Sequence, residues 1–266
     1  MNPPEHWYHT IELPDGTVTP GAFDLRPSVR VVPLPARLDG LRCLDVGTWD
    51  GFWAFEMERR GAAEVVAIDI DDPDRWDWPP AERLRPARGG LAVLTEVKRP
   101  GAGFAYAAAA LGSSARRVER SVYDLDPAVD GSFDVVFLGS LLLHLRDPVL
   151  ALDRVRSVCA GQAVIADTVE AIPSWLRPRT PIARLDTTER PWWWQPNRAA
   201  LHAMVRSAGF EIAETTGIYF VPTGAGHARP SLRNLVRGIT SPEGREALLV
   251  ATRGIPHTAL RATPLG

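Results

Sequence analysis

The chain lacks several features that mark large classes of protein. Of its 266 residues only Cys43 and Cys159 are cysteines, and both lie in apolar stretches. We therefore expect reduced core residues rather than a disulfide. The six histidines show no H-E-x-x-H or similar ligand spacing, which predicts no metal site. No apolar run approaches the roughly 18–20 residues that a membrane span requires.

The chain also has little net charge and a single lysine, Lys98. Arginine supplies nearly all of the positive charge, and the formal net charge at pH 7 is −2. Proteins that bind nucleic acids usually carry a basic patch, so this balance gives no general support for a nucleic-acid partner. Residues 1–10 have neither the basic start nor the apolar core of a signal peptide. We therefore expect a cytoplasmic protein.

The composition is that of a packed protein, with 45% apolar and 23% charged residues. The length suits one α/β domain with elaborations. Seven prolines interrupt residues 1–40, which predicts an irregular N-terminal arm with a short hairpin at Pro14-Asp15-Gly16. We place this arm or cap at 1–40 and one Rossmann-like domain at 41–266. An insertion rich in proline and tryptophan interrupts that domain at 171–196.

From residue 41 onward, short apolar runs alternate with helical patterns. This alternation predicts parallel strands joined by right-handed helical crossovers. The predicted strands are Leu41–Val46, Glu64–Ile70, Arg117–Val122, Phe133–Leu138 and Ala163–Thr168, and the helices are Phe52–Arg60, Gly103–Leu111 and Pro148–Val158. A further helix over Asn197–Ala208, with Asn197 as its N-cap, ends at Gly209. Phe210–Thr215 and Ala247–Ala251 are predicted to close the sheet as a late hairpin pair.

The strongest local signal is the segment Leu44-Asp45-Val46-Gly47-Thr48-Trp49-Asp50-Gly51. It predicts a buried strand that ends in a carboxylate, followed by a glycine turn that opens a helix. Glycine permits positive φ and lets a ligand approach the backbone. A dinucleotide-binding turn has the spacing G-x-G-x-x-G and holds a pyrophosphate. Here the spacing differs and Asp45 would repel phosphate, so the turn suits a ligand that carries an ammonium and a sulfonium group.

Two further signals follow at the ends of later strands. Asp69 follows Gly47 by 22 residues and precedes Ile70. At this separation an acidic residue reaches the ribose hydroxyls of a bound nucleoside in such folds. The third predicted strand ends in Val122-Tyr123-Asp124, whose side chains we expect to flank an adenine ring.

These residues resemble the class I S-adenosylmethionine-dependent methyltransferases, whose first motif is D/E-x-G-x-G-x-G. The similarity continues through Gly131–Phe137 and Leu143–Pro148, and it covers roughly Leu41–Thr168. The resemblance implies a Rossmann-like α/β sheet and S-adenosylmethionine as the cofactor. It places the cofactor against the residues Asp45, Gly47, Trp49, Gly51, Asp69, Ile70, Val122, Tyr123, Asp124 and Leu138. Trp49 stands where the family has its middle glycine, so it contacts the cofactor or the substrate, or packs aside.

A weaker resemblance links the chain to the wobble-uridine tRNA (carboxy)methyltransferase group. It rests on Ser140–His144, on the segment from Asn197 to Phe210 and on the tryptophan-bearing arm. In that group a tyrosine precedes the histidine and helps to hold carboxylated S-adenosylmethionine. Leu143 occupies this position here and cannot bind a carboxylate. The resemblance therefore implies ordinary S-adenosylmethionine, and the near-neutral charge removes support for tRNA.

Candidates for the chemistry are histidines and tryptophans. His144 follows the fourth strand, at the edge where ligands gather in α/β sheets, and is a candidate general base. His9, and less directly His6, would serve instead if the arm folds over the cofactor. The run Trp192-Trp193-Trp194 cannot all face one core. We interpret Trp193 and Trp194 as an aromatic lid over the acceptor, with a dimer interface or stacking on a nucleobase as alternatives.

Three functions are compatible with these residues. The favoured one is methylation of a small-molecule acceptor, such as a natural product, because the fold motifs are present and no charge excess points elsewhere. The second is modification of tRNA at the wobble uridine. The third is a non-catalytic cofactor-binding module, which the Trp49 departure favours and the acidic and glycine motifs oppose. Fold alone does not decide among them.

Overall fold

The computed structural model describes the backbone of residues 2–80, 101–185, 192–227 and 242–266. Its strands are β1 (Trp7–His9), β2 (Gly21–Phe23), β3 (Arg42–Val46), β4 (Glu64–Asp69), β5 (Arg116–Glu119), β6 (Phe133–Gly139), β7 (Cys159–Thr168), β8 (Ala183–Leu185), β9 (Trp194–Pro196), β10 (Phe210–Thr215), β11 (Tyr219–Val221) and β12 (Ile255–Pro264). Its helices are α1 (Phe52–Arg59), α2 (Ala102–Leu111), α3 (Pro127–Asp130), α4 (Pro148–Val158), α5 (Ala171–Leu176), α6 (Arg198–Ser207) and α7 (Pro242–Arg253).

The central sheet has eight strands, seven of them in the order β10-β12-β7-β6-β3-β4-β5, and β11 also pairs with β12. The five strands from β5 to β7 run parallel, as the βα alternation predicts. Strand β12 runs antiparallel to both β7 and β10. The predicted Rossmann-like α/β class with a late antiparallel closure is therefore confirmed.

One predicted element was wrong. Ala247–Ala251 belongs to helix α7, and the antiparallel strand is β12 instead. A short apolar run fits a helix and a strand equally well, and periodicity alone does not separate them. Proline at the first position of α7 and Gly254 directly after its end, at φ +100°, are the signals that mark the helix.

The N-terminal arm packs against the domain. Its turn at Pro14-Asp15-Gly16 is confirmed, since the Leu13 N–H donates to the Thr17 carbonyl at 2.8 Å and Glu12 bridges Val18 antiparallel. The side chains of Trp7, Ile11 and Leu13 are each about 5% exposed. Strands β1 and β2 pair in parallel, and the arm joins the apolar layer that also contains α1.

The sheet has an apolar layer on each face. One layer packs α4 and α6 against the strands, and the other packs α1, α2 and the arm. Cys43 and Cys159 are both buried and free, as expected for reduced core cysteines. Among the described residues, no helix is long and apolar enough to cross a membrane.

Candidate functional site

A cavity of about 430 Å³ lies at the carboxyl ends of the central strands. This volume is in the range of small-molecule sites. Its walls come from the glycine turn after β3, from the ends of β4 and β6, and from the arm. The arm contributes Tyr8, His9, Phe23 and Leu25.

The glycine turn after β3 holds positive φ at three positions. Gly47 has φ +76°, and a Cβ there would lie 3.2 Å from the Leu141 side chain. Trp49 has φ +46°, so it keeps the left-handed conformation although it replaces a glycine of the motif. Gly51 has φ +92°, but a Cβ there would meet the Phe55 ring at 2.6 Å. Gly51 is therefore required by packing behind the turn and lies outside the cavity lining.

Asp45 ends β3 as a buried carboxyl group in the cavity wall. Its side chain is 2% exposed, and Oδ2 accepts the Ala54 N–H at 3.1 Å. Burial raises the pKa of Asp45 to about 7. A cationic ligand beside this carboxyl group would favour its charged form.

Asp69 ends β4 and joins the two strand-end loops. One carboxylate oxygen accepts the Trp49 N–H at 2.7 Å, and the other accepts the Ile70 N–H at 2.7 Å. Each carboxylate oxygen has a further lone pair that can accept a hydroxyl group. Asp69 and Ile70 both line the cavity, in the position predicted for a ribose contact.

The third strand end agrees only in part with the prediction. Val122 and Tyr123 line the cavity, and the Tyr123 hydroxyl donates to Asp77 Oδ2 at 2.9 Å. The Asp124 side chain is 57% exposed, points toward Arg75 and lies outside the lining. Leu138 is 1% exposed within the core layer and lies outside the lining as well.

Both predicted histidines line the cavity. His9 is 6% exposed, its Nδ1 has no hydrogen-bond partner, and burial lowers its pKa to about 3. His144 ends the short 3-10 turn Leu142–His144, and its N–H donates to the Leu141 carbonyl at 2.9 Å. His6 is exposed and does not line the cavity.

The tryptophan that lines the cavity is not one of the two that were predicted to do so. Trp192 lines the cavity, whereas Trp193 and Trp194 do not. Trp193 Nε1 donates to the Asp77 carbonyl at 2.5 Å, and Trp194 Nε1 donates to the Arg146 carbonyl at 3.0 Å. Strand β9 begins at Trp194, which pairs with Leu185 of β8. Trp193 and Trp194 thus anchor the segment and leave Trp192 toward the cavity.

Sequence reasoning missed the contact between the arm and the glycine turn. Asp50 Oδ2 accepts the N–H groups of Tyr8 at 2.7 Å and His9 at 3.0 Å. The Tyr8 ring stacks on Trp49 with centroids 4.4 Å apart, and Trp76 lies 6.4 Å from Trp49 between ring centroids. The available signal was the pair of aromatic residues, Tyr8 and Trp49, on two segments predicted to border one site.

Sequence reasoning also missed Ser140 and His257, which face each other across the cavity wall. Ser140 follows β6 at φ +51°, and its Oγ lies 2.8 Å from His257 Nε2 on β12. His257 Nδ1 lies 3.0 Å from the Ile255 carbonyl oxygen. His257 is 3% exposed, and burial lowers its pKa to about 4.

The buried Asp167 at the end of β7 fixes the loop that carries these groups. Its Oδ2 accepts the N–H groups of Leu141 at 3.0 Å and Leu142 at 2.8 Å. Burial raises the pKa of Asp167 to about 6. Leu143, in the position of the tyrosine that carboxylated S-adenosylmethionine would need, is 4% exposed and lines the cavity.

Comparison with known proteins assigns the domain type. A family model described as a methyltransferase domain matches residues 25–215, more than half of the chain. No curated protein matches the chain by sequence. The solved structure of the 1,6-didemethyltoxoflavin-N1-methyltransferase of Burkholderia thailandensis is 15% identical, with a TM-score of 0.51, over 86% of this chain and 72% of that one. The cyclase SpnF is 18% identical, with a TM-score of 0.50, over 86% of this chain and 76% of that one.

Proposed function

Because the chain belongs to the methyltransferase domain family, we propose that it transfers a methyl group from S-adenosylmethionine to a small, largely apolar acceptor. The family and the fold make it a class I S-adenosylmethionine-dependent methyltransferase. The proposal also states the size and polarity of the acceptor. It rests on one observation: the cavity has carboxyl groups at one end and mostly apolar walls at the other.

The acidic end of the cavity fits the cofactor. Asp45 and Asp69 bring two carboxyl groups to the ends of neighbouring strands, beside a turn with two left-handed residues, Gly47 and Trp49. Carboxylates favour a ligand with an ammonium and a sulfonium over one with phosphates. Asp45 would face the cationic part, and Asp69 would accept the ribose hydroxyls. Ile70, Val122 and Tyr123 would border the adenine.

The other end of the cavity fits the acceptor. Phe23, Leu25 and Val221 give it apolar walls, and Trp192 adds an aromatic side chain to the lining. When bound, the cofactor supplies an electrophilic methyl group on its sulfonium. The chain contributes orientation and exclusion of water, and a well-oriented pair of reactants gains about 7–11 kcal/mol of the barrier. The arm, through Tyr8, His9, Phe23 and Leu25, and Trp192 would act as the cover.

The cover that the arm forms over the site favours a small molecule over tRNA. The acceptor end lies beneath the arm, and Asp50 fixes that arm through two backbone hydrogen bonds. A wobble base on a folded tRNA would need the arm to open. Retention of the left-handed turn by Trp49 also argues against a module that has lost its chemistry, since the motif departure leaves the turn geometry in place.

Isothermal calorimetry with S-adenosylhomocysteine and a methylation assay together test the proposal. The full-length chain should bind S-adenosylhomocysteine and transfer label from methyl-labelled S-adenosylmethionine to a component of a small-molecule extract. Binding without transfer to any small molecule would contradict the acceptor part. Failure to bind the cofactor would contradict the assignment of the cavity.

A further inference from the structure

We propose that Ser140 and His257 form a proton relay that takes the proton from a hydroxyl group of the acceptor during methyl transfer. This inference rests on the proposed function and adds the residues that handle the proton and the chemical class of the accepting group. It departs from the expectation that His144 or His9 is the base.

The hydrogen-bond pattern indicates the tautomer of neutral His257. The Ile255 carbonyl oxygen can only accept a hydrogen bond, so His257 Nδ1, 3.0 Å away, carries the proton. A neutral imidazole then has a bare Nε2, and the Ser140 hydroxyl donates to it at 2.8 Å. The Ser140 oxygen keeps its own lone pairs free to accept a further hydrogen bond. Both members of the pair line the cavity.

The backbone holds this pair in place from both sides. The Ser140 N–H donates to the Ala166 carbonyl at 2.9 Å, and Asp167 accepts the next two N–H groups along the chain. His257 pairs with Thr168 in the sheet, and its ring lies 5.8 Å from the Tyr219 ring. His257 therefore lies on a sheet strand and Ser140 in a loop that backbone hydrogen bonds hold at the end of β6, which favours precise positioning.

His9 is less suited to the same role. Its Nδ1 is buried without a partner, so no contact on that nitrogen selects the tautomer. His257 has a partner on each nitrogen, and those partners select the form that accepts a proton at the cavity side. This contrast decides between the two buried histidines.

The step balances in atoms and electrons. The acceptor oxygen forms the new bond to the methyl carbon, and the sulfur keeps the electron pair of the bond that breaks. The acceptor proton passes to Ser140 Oγ as the Ser140 proton passes to His257 Nε2. The products are a methyl ether, S-adenosylhomocysteine and an imidazolium, which loses its proton to water when the site opens.

Charge explains how a buried histidine can serve as this base. Burial disfavours the charged form of His257 and lowers its pKa to about 4, so the group is neutral and able to accept a proton near neutral pH. Methyl transfer removes the positive charge of the sulfonium at the moment when the imidazolium forms. The cavity therefore holds one such positive charge before and after the step, which offsets the cost of protonating a buried ring.

The surroundings of the pair define the acceptor class. Phe137, Val221 and Ile255 line this part of the cavity together with Ser140 and His257. A hydroxyl group on an apolar, preferably aromatic frame matches one hydrogen-bonding pair within apolar walls. A carboxylate acceptor would need a cation that these residues do not supply.

The test compares Ser140→Ala and His257→Gln with a matched pair outside the cavity. His202 Nε2 lies 3.1 Å from Thr215 Oγ1, so His202→Gln and Thr215→Val remove a similar contact between residues outside the cavity lining. The probes are compared in mildly alkaline buffer: 2-naphthol keeps its hydroxyl proton there, whereas 4-nitrophenol is largely ionised. Methyl-labelled S-adenosylmethionine reports turnover, and calorimetry with S-adenosylhomocysteine reports cofactor binding.

We expect both relay variants to lose about 100-fold or more of kcat on 2-naphthol and much less on 4-nitrophenol, with small changes in KM. The control variants should match the wild type on both probes. Equal losses on the two probes would indicate a structural effect and overturn the relay. Failure of the wild type to methylate either probe, with cofactor binding intact, would overturn the hydroxyl acceptor. Loss of cofactor binding in the wild type would instead contradict the proposed function.

A second measurement does not depend on turnover. Nitrogen-15 spectra of labelled histidine should show His257 as a neutral ring with the proton on Nδ1, identified by its absence in His257→Gln. Ser140→Ala should shift the Nε2 signal, and Thr215→Val should leave it unchanged. A proton on Nε2 of His257 in the wild type would overturn the relay.

Discussion

The two ends of the cavity are built in different ways. The cofactor end comes from two consecutive strand ends, with Asp45 and Asp69 placed by parallel pairing of β3 and β4. The acceptor end comes from the arm, the loop after β6 and the start of β12, which are far apart in the chain. The cofactor end therefore follows from one local motif. The acceptor end forms only after the sheet and the arm have assembled.

Removing the arm should disrupt the acceptor end and leave the Rossmann-like core folded. We expect deletion of residues 1–20 to abolish turnover while circular dichroism still shows the Rossmann-like core. Deletion of residues 2–5, which precede β1, is the matched control and should retain activity. Because Trp7 and Ile11 are buried, Asp50→Ala provides a milder variant that releases the arm without removing it. Full turnover after deletion of 1–20 would show that the arm is no lid.

Asp69→Ala should weaken the cofactor end. The loss of charge-assisted hydrogen bonds to the ribose should reduce binding of S-adenosylhomocysteine by about 1–3 kcal/mol. Asp124→Ala is the matched control, because Asp124 follows another strand but lies outside the cavity lining. Calorimetry measures both. Equal affinity in the wild type and Asp69→Ala would remove Asp69 from the site.

The pH dependence of cofactor binding should reveal the contribution of Asp45 to the cofactor end. Burial raises the pKa of this carboxyl group to about 7, so its charged fraction grows as the pH rises through that value. A cationic cofactor prefers the charged form, and affinity should rise by up to about tenfold between about pH 6 and about pH 8. Asp45→Asn should flatten this rise. An unchanged slope in the variant would assign the titration to another group.

Trp49→Gly should change stability more than chemistry. Glycine would relieve about 1–2 kcal/mol of left-handed backbone cost. It would also remove the stacking on Tyr8, worth about 0.5–1.5 kcal/mol beyond the buried area, and the buried apolar area of the half-buried indole itself. The free energy of unfolding should therefore fall by about 1–2 kcal/mol, which chemical denaturation measures. A rise in stability would show that the left-handed backbone cost of Trp49 exceeds its packing.

Binding of carboxylated S-adenosylmethionine tests the consequence of having Leu143 where the resembled group has a tyrosine. We expect no preference for it over ordinary S-adenosylmethionine, because Leu143 contributes no polar group to the cavity wall. Competition binding measures the ratio of the two affinities. A clear advantage for the carboxylated form would require another residue to hold the carboxylate. Arg26 is exposed and paired with Asp24 at 2.7 Å, so it would first have to leave that pair.

The sequence predicted those parts of the fold that depend on local pattern. Strand ends and glycine spacing located Asp45, Gly47 and Asp69 in the wall of one cavity. The same reasoning misplaced the last strand, because the apolar run at 247–251 is compatible with a helix as well as with a strand. Because the prediction placed the last strand too early in the chain, His257, which lies on that strand, was not recognised as a candidate site residue.

The orientation of side chains was the second feature that the sequence did not predict. Trp193 and Trp194 were predicted to form a lid, but of the three adjacent tryptophans only Trp192 lines the cavity. The indole groups of Trp193 and Trp194 donate to the carbonyl groups of Asp77 and Arg146, which are distant in the sequence, so no local pattern predicts these contacts. Ser140 likewise matters only because β12 brings His257 to within 2.8 Å of its hydroxyl.

Methyl labelling distinguishes a small acceptor from tRNA in one experiment. The full-length chain is incubated with methyl-labelled S-adenosylmethionine and, in parallel, with the small-molecule fraction of a cell extract or with purified tRNA. We expect label in a small hydroxyl-bearing compound and none in tRNA, with the signal lost in Ser140→Ala. Label in tRNA, or no label in either fraction while S-adenosylhomocysteine still binds, would contradict methylation of a small acceptor.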